Sequence, residues 1–177
     1  MQILLVIGSV IAAIIVLFLV IAVFVKRESA VQREIIIHQP RQVVYDYVRF
    51  LRNQDHYSKW VMTDPAMKKE FRGTDGTVGF VYGWDGNKKA GAGEQEIIGL
   101  AEGFKVDIEV RFIRPFASVG KTPMTLETVN DNGTKVFWGM STKMPYPFNA
   151  LSFFMQGVLG RDLEISLQNL KRILENK

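Results

Sequence analysis

The longest hydrophobic pattern in the chain is an apolar run over residues 3–25 that contains no charged residue. As a helix, this run would be about 35 Å long at about 1.5 Å per residue, enough to cross a hydrocarbon core of roughly 30 Å with some tilt. A buried helix of a soluble protein would carry a polar stripe, and a cleaved signal peptide would have a basic start and a shorter apolar stretch. The pattern therefore predicts a transmembrane helix within residues 1–26, followed by a polar linker over residues 27–32.

The remaining part, residues 33–177, predicts one domain with short helices early in the chain and many strands after them. A β-branched run predicts the first strand over residues 33–38, and apolar residues at helical spacing predict helices near residues 43–51 and 53–60. Alternation with a period of two predicts further strands at residues 67–71, 78–84, 89–98, 104–113, 119–129 and 134–140. One-sided alternation of this kind is typical of an antiparallel sheet with one dry face and one solvated face.

A long final helix is predicted over residues 148–175, and its apolar side divides into two faces. The first face comprises Leu151, Phe154, Met155 and Val158, and the second comprises Leu163, Leu167, Leu170 and Leu174. At 100° per residue the two faces differ by roughly 130°. Gly157 and Gly160 lie between them and would permit a bend. We therefore expect the second half of this helix to seal the sheet and the first half to line a space.

Residues 78–98 comprise two predicted strands and the turn between them, and their pattern favours a cavity over a filled core. Val78, Phe80, Tyr82 and Trp84 alternate, so a regular strand would place all four on one face. Residues 85–87 form a turn signal, and the returning strand contains Gly91 and Gly93. Glycine within a strand bends it or allows a close approach to its backbone. A wall of aromatic rings opposite a strand thinned by glycine is the arrangement expected of a binding cavity.

Charge and composition exclude several partners. The 22 basic and 18 acidic residues give a net charge of +4 without a long basic block, so no nucleic-acid partner is predicted. Lys26, Arg27, Arg33 and Arg41 follow the apolar run, and the positive-inside rule then places the domain on the cytoplasmic side of an inner membrane.

The candidate catalytic and metal-ligating residues are few and scattered. The chain has no Cys and only two histidines, His38 and His56, so no disulfide framework, metal site or cofactor is predicted. His56, Tyr82 and Asp162 are candidates for proton transfer, but no motif brings them together. A solvated side chain is the alternative interpretation of His56 and of Asp162.

Several segments together resemble a known superfamily. They are residues 64–69 (Asp-Pro-Ala-Met-Lys-Lys), residues 79–93 with their aromatic and glycine pattern, residues 114–116 (Arg-Pro-Phe) and residues 160–164. Over residues 33–174 the chain resembles the SRPBCC superfamily, and within it the bacterial polyketide cyclase/dehydrase and lipid transport group, which is related to START domains and birch-pollen allergens. The resemblance implies an α+β helix-grip fold: a seven-stranded antiparallel curved sheet around a long C-terminal helix, with a deep apolar cavity between them.

The resulting prediction is a membrane-anchored protein that binds a lipid or another hydrophobic small molecule. Its predicted cavity wall consists of Trp60, Phe80, Tyr82, Trp84, Phe112, Trp138, Met140, Phe154 and Met155. The structural alternative is that these side chains fill the core. Two other functions remain open: a cyclase or dehydratase acting on a hydrophobic substrate, and an interaction or stress-response protein whose cavity is vestigial. The sequence does not predict the ligand or the oligomeric state.

Overall fold

In the computed structural model, which describes residues 2–176, an antiparallel sheet curves around a long C-terminal helix. The helices are α1 (Gln2–Phe24), α2 (Arg41–Val48), α3 (Gln54–Tyr57) and α4 (Ser152–Glu175), with 3₁₀ turns at Leu51–Asn53, Val61–Thr63 and Phe148–Leu151. The strands are β1 (Glu28–Ile37), β2 (Lys68–Arg72), β3 (Val81–Asp85), β4 (Ala92–Ala101), β5 (Lys105–Arg114), β6 (Ser118–Lys121), β7 (Met124–Asn130) and β8 (Gly133–Lys143). This is the predicted α+β helix-grip fold.

The described residues form eight strands, one more than predicted. The sheet runs in the order β1-β8-β6-β5-β4-β3-β2, and β7 pairs with both β5 and β8. The strand predicted over residues 119–129 divides into β6 and β7 at Thr122 and Pro123. Proline has no N–H to donate to a ladder, and Thr122 turns its Oγ1 to the Gly139 carbonyl at 2.8 Å. The division therefore follows from the proline that the sequence already contained.

Strand β1 begins earlier than predicted. It pairs with β8 without interruption from Glu28↔Lys143 to Ile37↔Thr134. The predicted linker, residues 27–32, therefore lies mostly within β1. Its polar side chains suit an edge strand, because one face of the strand is open to solvent.

Two large apolar residues at the ends of predicted strands are exposed. Val78 is 59% exposed because Gly79 has a φ of +87°, which breaks the extended backbone before β3 begins at Val81. Phe104 is 51% exposed and precedes the first residue of β5, where the Arg41 guanidinium lies 3.7 Å from the centre of its ring.

The second half of α4 seals the sheet as expected. Leu163, Leu167, Leu170 and Leu174 are buried, and α2 contributes further core residues. Burial of one leucine side chain is worth about 1.5–3 kcal/mol, so this stripe fixes the helix on the sheet. Gly160 leaves space for the Arg33 guanidinium, which crosses α4 to reach Glu164 at 3.1 Å. A larger residue at 160 would displace that arginine.

The first apolar face of α4 points outward, contrary to the prediction. Leu151, Phe154, Met155 and Val158 are all exposed. The rotation between the two apolar faces is the reason, because a helix that buries the second face against the sheet turns the first face away from it.

The N-terminal helix α1 is long and apolar enough to cross a membrane. Its last turn is held by the domain: the Asn149 Nδ2 donates to the carbonyl oxygens of Ala22 at 2.6 Å and Val25 at 2.7 Å. These carbonyls belong to a helix end and have no partner within the helix. Asn149 therefore caps α1 from the turn that begins α4.

An ion-pair network covers the outer face of the sheet. Arg111 lies at its centre and donates to Glu94, Glu96 and Glu109 at 2.7–2.8 Å. Hydrogen bonds from Arg72 and then from Arg111 hold the pKa of Glu94 below its usual value. The network ties β2, β4 and β5 together on the face opposite to the cavity.

Candidate ligand cavity

A cavity of about 140 Å³ lies between the inner face of the sheet and the first half of α4. Its walls come from β3, β4, β5 and β8, from Leu159 of α4, and from α3 and the segment after it. The space is partly open to the surface, and its volume is comparable to that of cavities that hold one benzene molecule. It therefore has the volume for a single ring or a short hydrocarbon segment.

Six of the nine predicted wall residues line this cavity: Trp60, Tyr82, Trp84, Phe112, Trp138 and Met140. Phe80 is fully buried in the core and stacks on Phe71 instead. Phe154 and Met155 lie on the outward face of α4, and Leu159 supplies the contribution of this helix. The residues that line the cavity remain a predicted site for a ligand.

Gly93 makes room for the aromatic wall. It lies opposite Trp84 in the β3–β4 ladder, and a Cβ at Gly93 would be 2.7 Å from the indole ring. The indole packs edge-on against Phe112, with ring centres 6.0 Å apart. Trp60 and Trp138 form a second edge-on pair at 5.9 Å. The close approach to glycine that the sequence indicated is therefore made by a tryptophan.

Both indole groups in the sheet have their N–H satisfied by the protein. Trp138 Nε1 donates to Thr122 Oγ1 at 2.8 Å, and Trp84 Nε1 donates to the Ala90 carbonyl at 3.2 Å. A buried indole that is bonded in this way presents apolar ring surface to the cavity. These tryptophans can therefore contact a ligand through the shape and dispersion attraction of their rings, and not through hydrogen bonds.

One end of the cavity carries a buried amide pair, Gln54 and Gln95. Gln95 Nε2 donates to Gln54 Oε1 at 3.0 Å, and the two residues are only 6% and 3% exposed, respectively. Gln54 Nε2 has no hydrogen-bond partner among the described residues. An unsatisfied buried donor costs about 1–3 kcal/mol. The amide pair therefore provides a cavity-lining donor that a ligand acceptor would satisfy.

The Tyr82 hydroxyl is already engaged. It donates to Asp55 Oδ1 at 2.7 Å, and Lys69 Nζ donates to Asp55 Oδ2 at 2.8 Å. Burial, and then the hydrogen bond to the Asp55 carboxylate, raise the pKa of Tyr82. This tyrosine therefore keeps its proton at neutral pH, and its ring forms part of the wall.

The three candidate proton-transfer residues do not meet in the cavity. Tyr82 lines it, whereas His56 is exposed on α3 and Asp162 lies half-buried in α4 outside the lining. Asp162 contributes its backbone carbonyl to a hydrogen bond from the Ser166 hydroxyl.

Sequence reasoning missed the polar residues of the lining, chiefly Gln54 and Gln95. A signal for Gln95 was present: it alternates with Glu94 and Glu96, which face outward, so strand periodicity places it on the inner face. Gln54 offered no such signal, because α3 is a single turn whose buried face depends on the sheet beneath it.

The comparisons with solved structures identify the fold. Norcoclaurine synthase from Thalictrum flavum, in complex with dopamine and hydroxybenzaldehyde, matches with a TM-score of 0.64 and 11% identity over 89% of this chain and 92% of that chain. The Zhui aromatase/cyclase from Streptomyces sp. R1128 matches with a TM-score of 0.62 and 10% identity over 84% and 94%. Ara h 8.0201 matches with a TM-score of 0.58 and 14% identity over 85% and 99%.

These proteins have the SRPBCC helix-grip fold, so the predicted resemblance is confirmed at the level of the fold. No protein-family model and no curated protein matches the sequence. At 10–14% identity the likeness concerns the fold alone.

Proposed function

We propose that this protein is a membrane-anchored binding protein for a small hydrophobic molecule, held in the cavity beneath α4. The observation that carries the proposal is an apolar cavity of about 140 Å³ with a buried, unpartnered amide donor in its lining. Helix α1 supplies the anchor, and the basic residues after it favour a cytoplasmic position for the domain.

The chemistry of the lining favours a ligand that combines an apolar ring or short chain with one hydrogen-bond acceptor. The aromatic walls suit the apolar part, and Gln54 suits the acceptor. The cavity volume favours a ring-sized molecule over a whole lipid. Dopamine and hydroxybenzaldehyde, bound by the norcoclaurine synthase, are themselves small rings with polar substituents.

A cyclase or dehydratase activity is the second candidate. Structural similarity to an aromatase/cyclase favours it, but the residues considered for proton transfer are dispersed. Ligand binding requires only the cavity and its donor, so it is the function that the geometry supports better.

Tryptophan emission provides a direct test, because all three tryptophans of the chain line the cavity. The full-length protein is reconstituted in lipid nanodiscs and titrated with acetophenone, a ring that carries a carbonyl acceptor. Binding is expected to change the emission saturably and to raise the midpoint of thermal unfolding. At a ligand concentration of 100 times Kd the stabilisation is about 2.7 kcal/mol, or roughly 5–10 °C for a chain of this size.

Filling the cavity provides the matched control. Val110→Phe adds a ring at a buried lining position, whereas Val129→Phe makes the same change at an exposed position of β7. Val110→Phe is expected to abolish the saturable response, and Val129→Phe is expected to retain it. Equal responses in both variants would mean that the probe is dissolved in the bilayer, and the proposal would then fail.

A further inference from the structure

The exposed apolar side chains of the domain include a group beside the last turn of α1. This apolar patch consists of Phe116, Phe148, Leu151, Phe153, Phe154 and Val158. Phe153 is 86% exposed and Phe116 is 75% exposed, so most of each side chain faces outward from the protein. Several large apolar side chains exposed in one region of a domain mark a site of contact with a protein or a membrane.

Hydrogen bonds and ring packing fix the patch against α1. Asn149, which bonds the Ala22 and Val25 carbonyls, lies between Phe148 and Leu151. The Phe148 ring stacks on Phe116 with ring centres 6.2 Å apart, which brings the β5–β6 loop into the same surface. The patch therefore keeps a defined position relative to the end of the helix.

The length of α1 determines where the apolar patch lies relative to the bilayer. Ala22 lies 20 residues after Gln2, or about 30 Å along the helix, which is the thickness of a hydrocarbon core. The last turn of a spanning α1 therefore reaches the boundary between hydrocarbon and headgroups. Lys26 and Arg27 come directly after the apolar run, and at this boundary their positive charges can interact with anionic headgroups. Residues that pack around Asn149 therefore lie at the same boundary between hydrocarbon and headgroups.

We propose that the apolar patch lies in the surface of the same bilayer that α1 spans, so that the domain is seated on the membrane and not suspended above it. The inference rests on the membrane anchor of the proposed function and deepens it. Leu159 lines the cavity and directly follows Val158 of the patch. The cavity is thereby held next to the lipid phase, where hydrophobic ligands concentrate.

The absence of cysteine from the chain allows single labels to test this placement. Phe153→Cys, Ala13→Cys and Val129→Cys, each with a fluorophore, report on the patch, the middle of α1 and β7. Val129 lies beside the hairpin that begins β8, and this strand of 11 residues extends over roughly 35 Å toward the end of α1. The labelled full-length chains are placed in nanodiscs that contain nitroxide-bearing lipids.

Quenching is expected to be several-fold stronger at positions 153 and 13 than at position 129. Quenching at 13 without quenching at 153 would overturn the seated arrangement and leave the anchor intact. Absence of quenching at 13 would overturn both, because α1 would then lie outside the bilayer. Self-quenching between labels at 153, without lipid quenching, would assign the patch to a second copy of the chain and refute the inference.

Two readouts separate these outcomes from misfolding and from failure of the cavity. Unchanged tryptophan emission in Phe153→Cys shows that the fold is retained, since this side chain is exposed. The response to acetophenone measures ligand binding alone. A seated domain that ignores acetophenone would refute the ligand-binding function while supporting the membrane placement.

Discussion

The most informative perturbation is the double variant Gln54→Leu/Gln95→Leu, because it removes both amide donors of the lining while keeping the cavity nearly the same in volume. In the wild-type chain, Gln54 Nε2 is buried without a partner and Gln54 Oε1 accepts from Gln95. The double substitution removes both amides, whereas Gln54→Leu alone would free the Gln95 donor for the ligand. The expected effect on stability is therefore small, because replacing both partners of a buried hydrogen bond by apolar groups of similar shape is nearly neutral.

The effect on ligand selectivity is larger and has a defined sign. A net hydrogen bond from Gln54 to a ligand carbonyl is worth about 0.5–1.5 kcal/mol. At 1.4 kcal/mol per factor of ten, this corresponds to an affinity ratio of about 2 to 12. Ethylbenzene has nearly the shape of acetophenone and lacks the carbonyl. The preference for acetophenone over ethylbenzene should therefore fall by about 2- to 12-fold in Gln54→Leu/Gln95→Leu.

The assay compares the two probes in nanodiscs at matched free aqueous concentrations. The midpoint of thermal unfolding serves both probes, since it depends on binding and not on quenching by the carbonyl. Forming the ratio between variants cancels the different partitioning of the probes into lipid. Gln95→Leu is the control, because it keeps Gln54 and should keep the preference for acetophenone.

Two results would refute the reasoning. If the ratio of the affinities for acetophenone and ethylbenzene were the same in the wild type and in the double variant, the Gln54 donor would not be available to the ligand. Loss of the preference in the single variant Gln95→Leu would assign the polar contact to Gln95 instead of Gln54.

Two further predictions concern the sheet around the cavity. Glu94→Gln should cost about 1 kcal/mol at neutral pH, after allowance for partial exposure of its bonds to Arg72 and Arg111. Because the folded state lowers the pKa of Glu94, this contribution is present above the ordinary glutamate pKa and is lost as the pH falls through the folded value. Urea unfolding at neutral and acidic pH measures it, and a difference that grows on acidification would contradict it. Gly93→Ala should destabilise by about 1–3 kcal/mol, because its Cβ would be 2.5 Å from the Arg111 carbonyl oxygen. Gly139→Ala, whose nearest neighbour is 3.6 Å away, is the control, and equal losses would refute the steric argument.

Periodicity was sufficient to predict most elements of this fold. The alternation in β5 and the leucine stripe of α4 each extend over ten residues or more, so local sequence and burial agree. Prediction was less accurate where a single residue determines where a strand begins or ends. Gly79 shortened β3, and Pro123 divided one predicted strand into two. The beginning of β1 depended on its pairing with β8, which is a contact distant in sequence.

The aromatic wall was easier to predict than the polar end of the cavity. Large side chains at alternate positions in a strand identify a face, and six of the predicted residues do line the cavity. Gln54 became part of the lining because α3 lies across the inner face of the sheet, opposite Gln95. Pairing between a one-turn helix and a strand 41 residues away has no periodic signal. Tertiary packing alone determines that contact.

The two apolar faces of α4 carry the argument that links the cavity to the membrane. A helix with one apolar face would need only the sheet, and its opposite side would be polar. Here the leucines of the second half are buried, whereas Phe153, Phe154 and Val158 of the first half remain exposed next to the end of α1. Exposure of two phenylalanine side chains to water would be unfavourable at this position. A bilayer at the level of Ala22 removes them from water, and the same helix then connects the lipid surface to the cavity through Leu159.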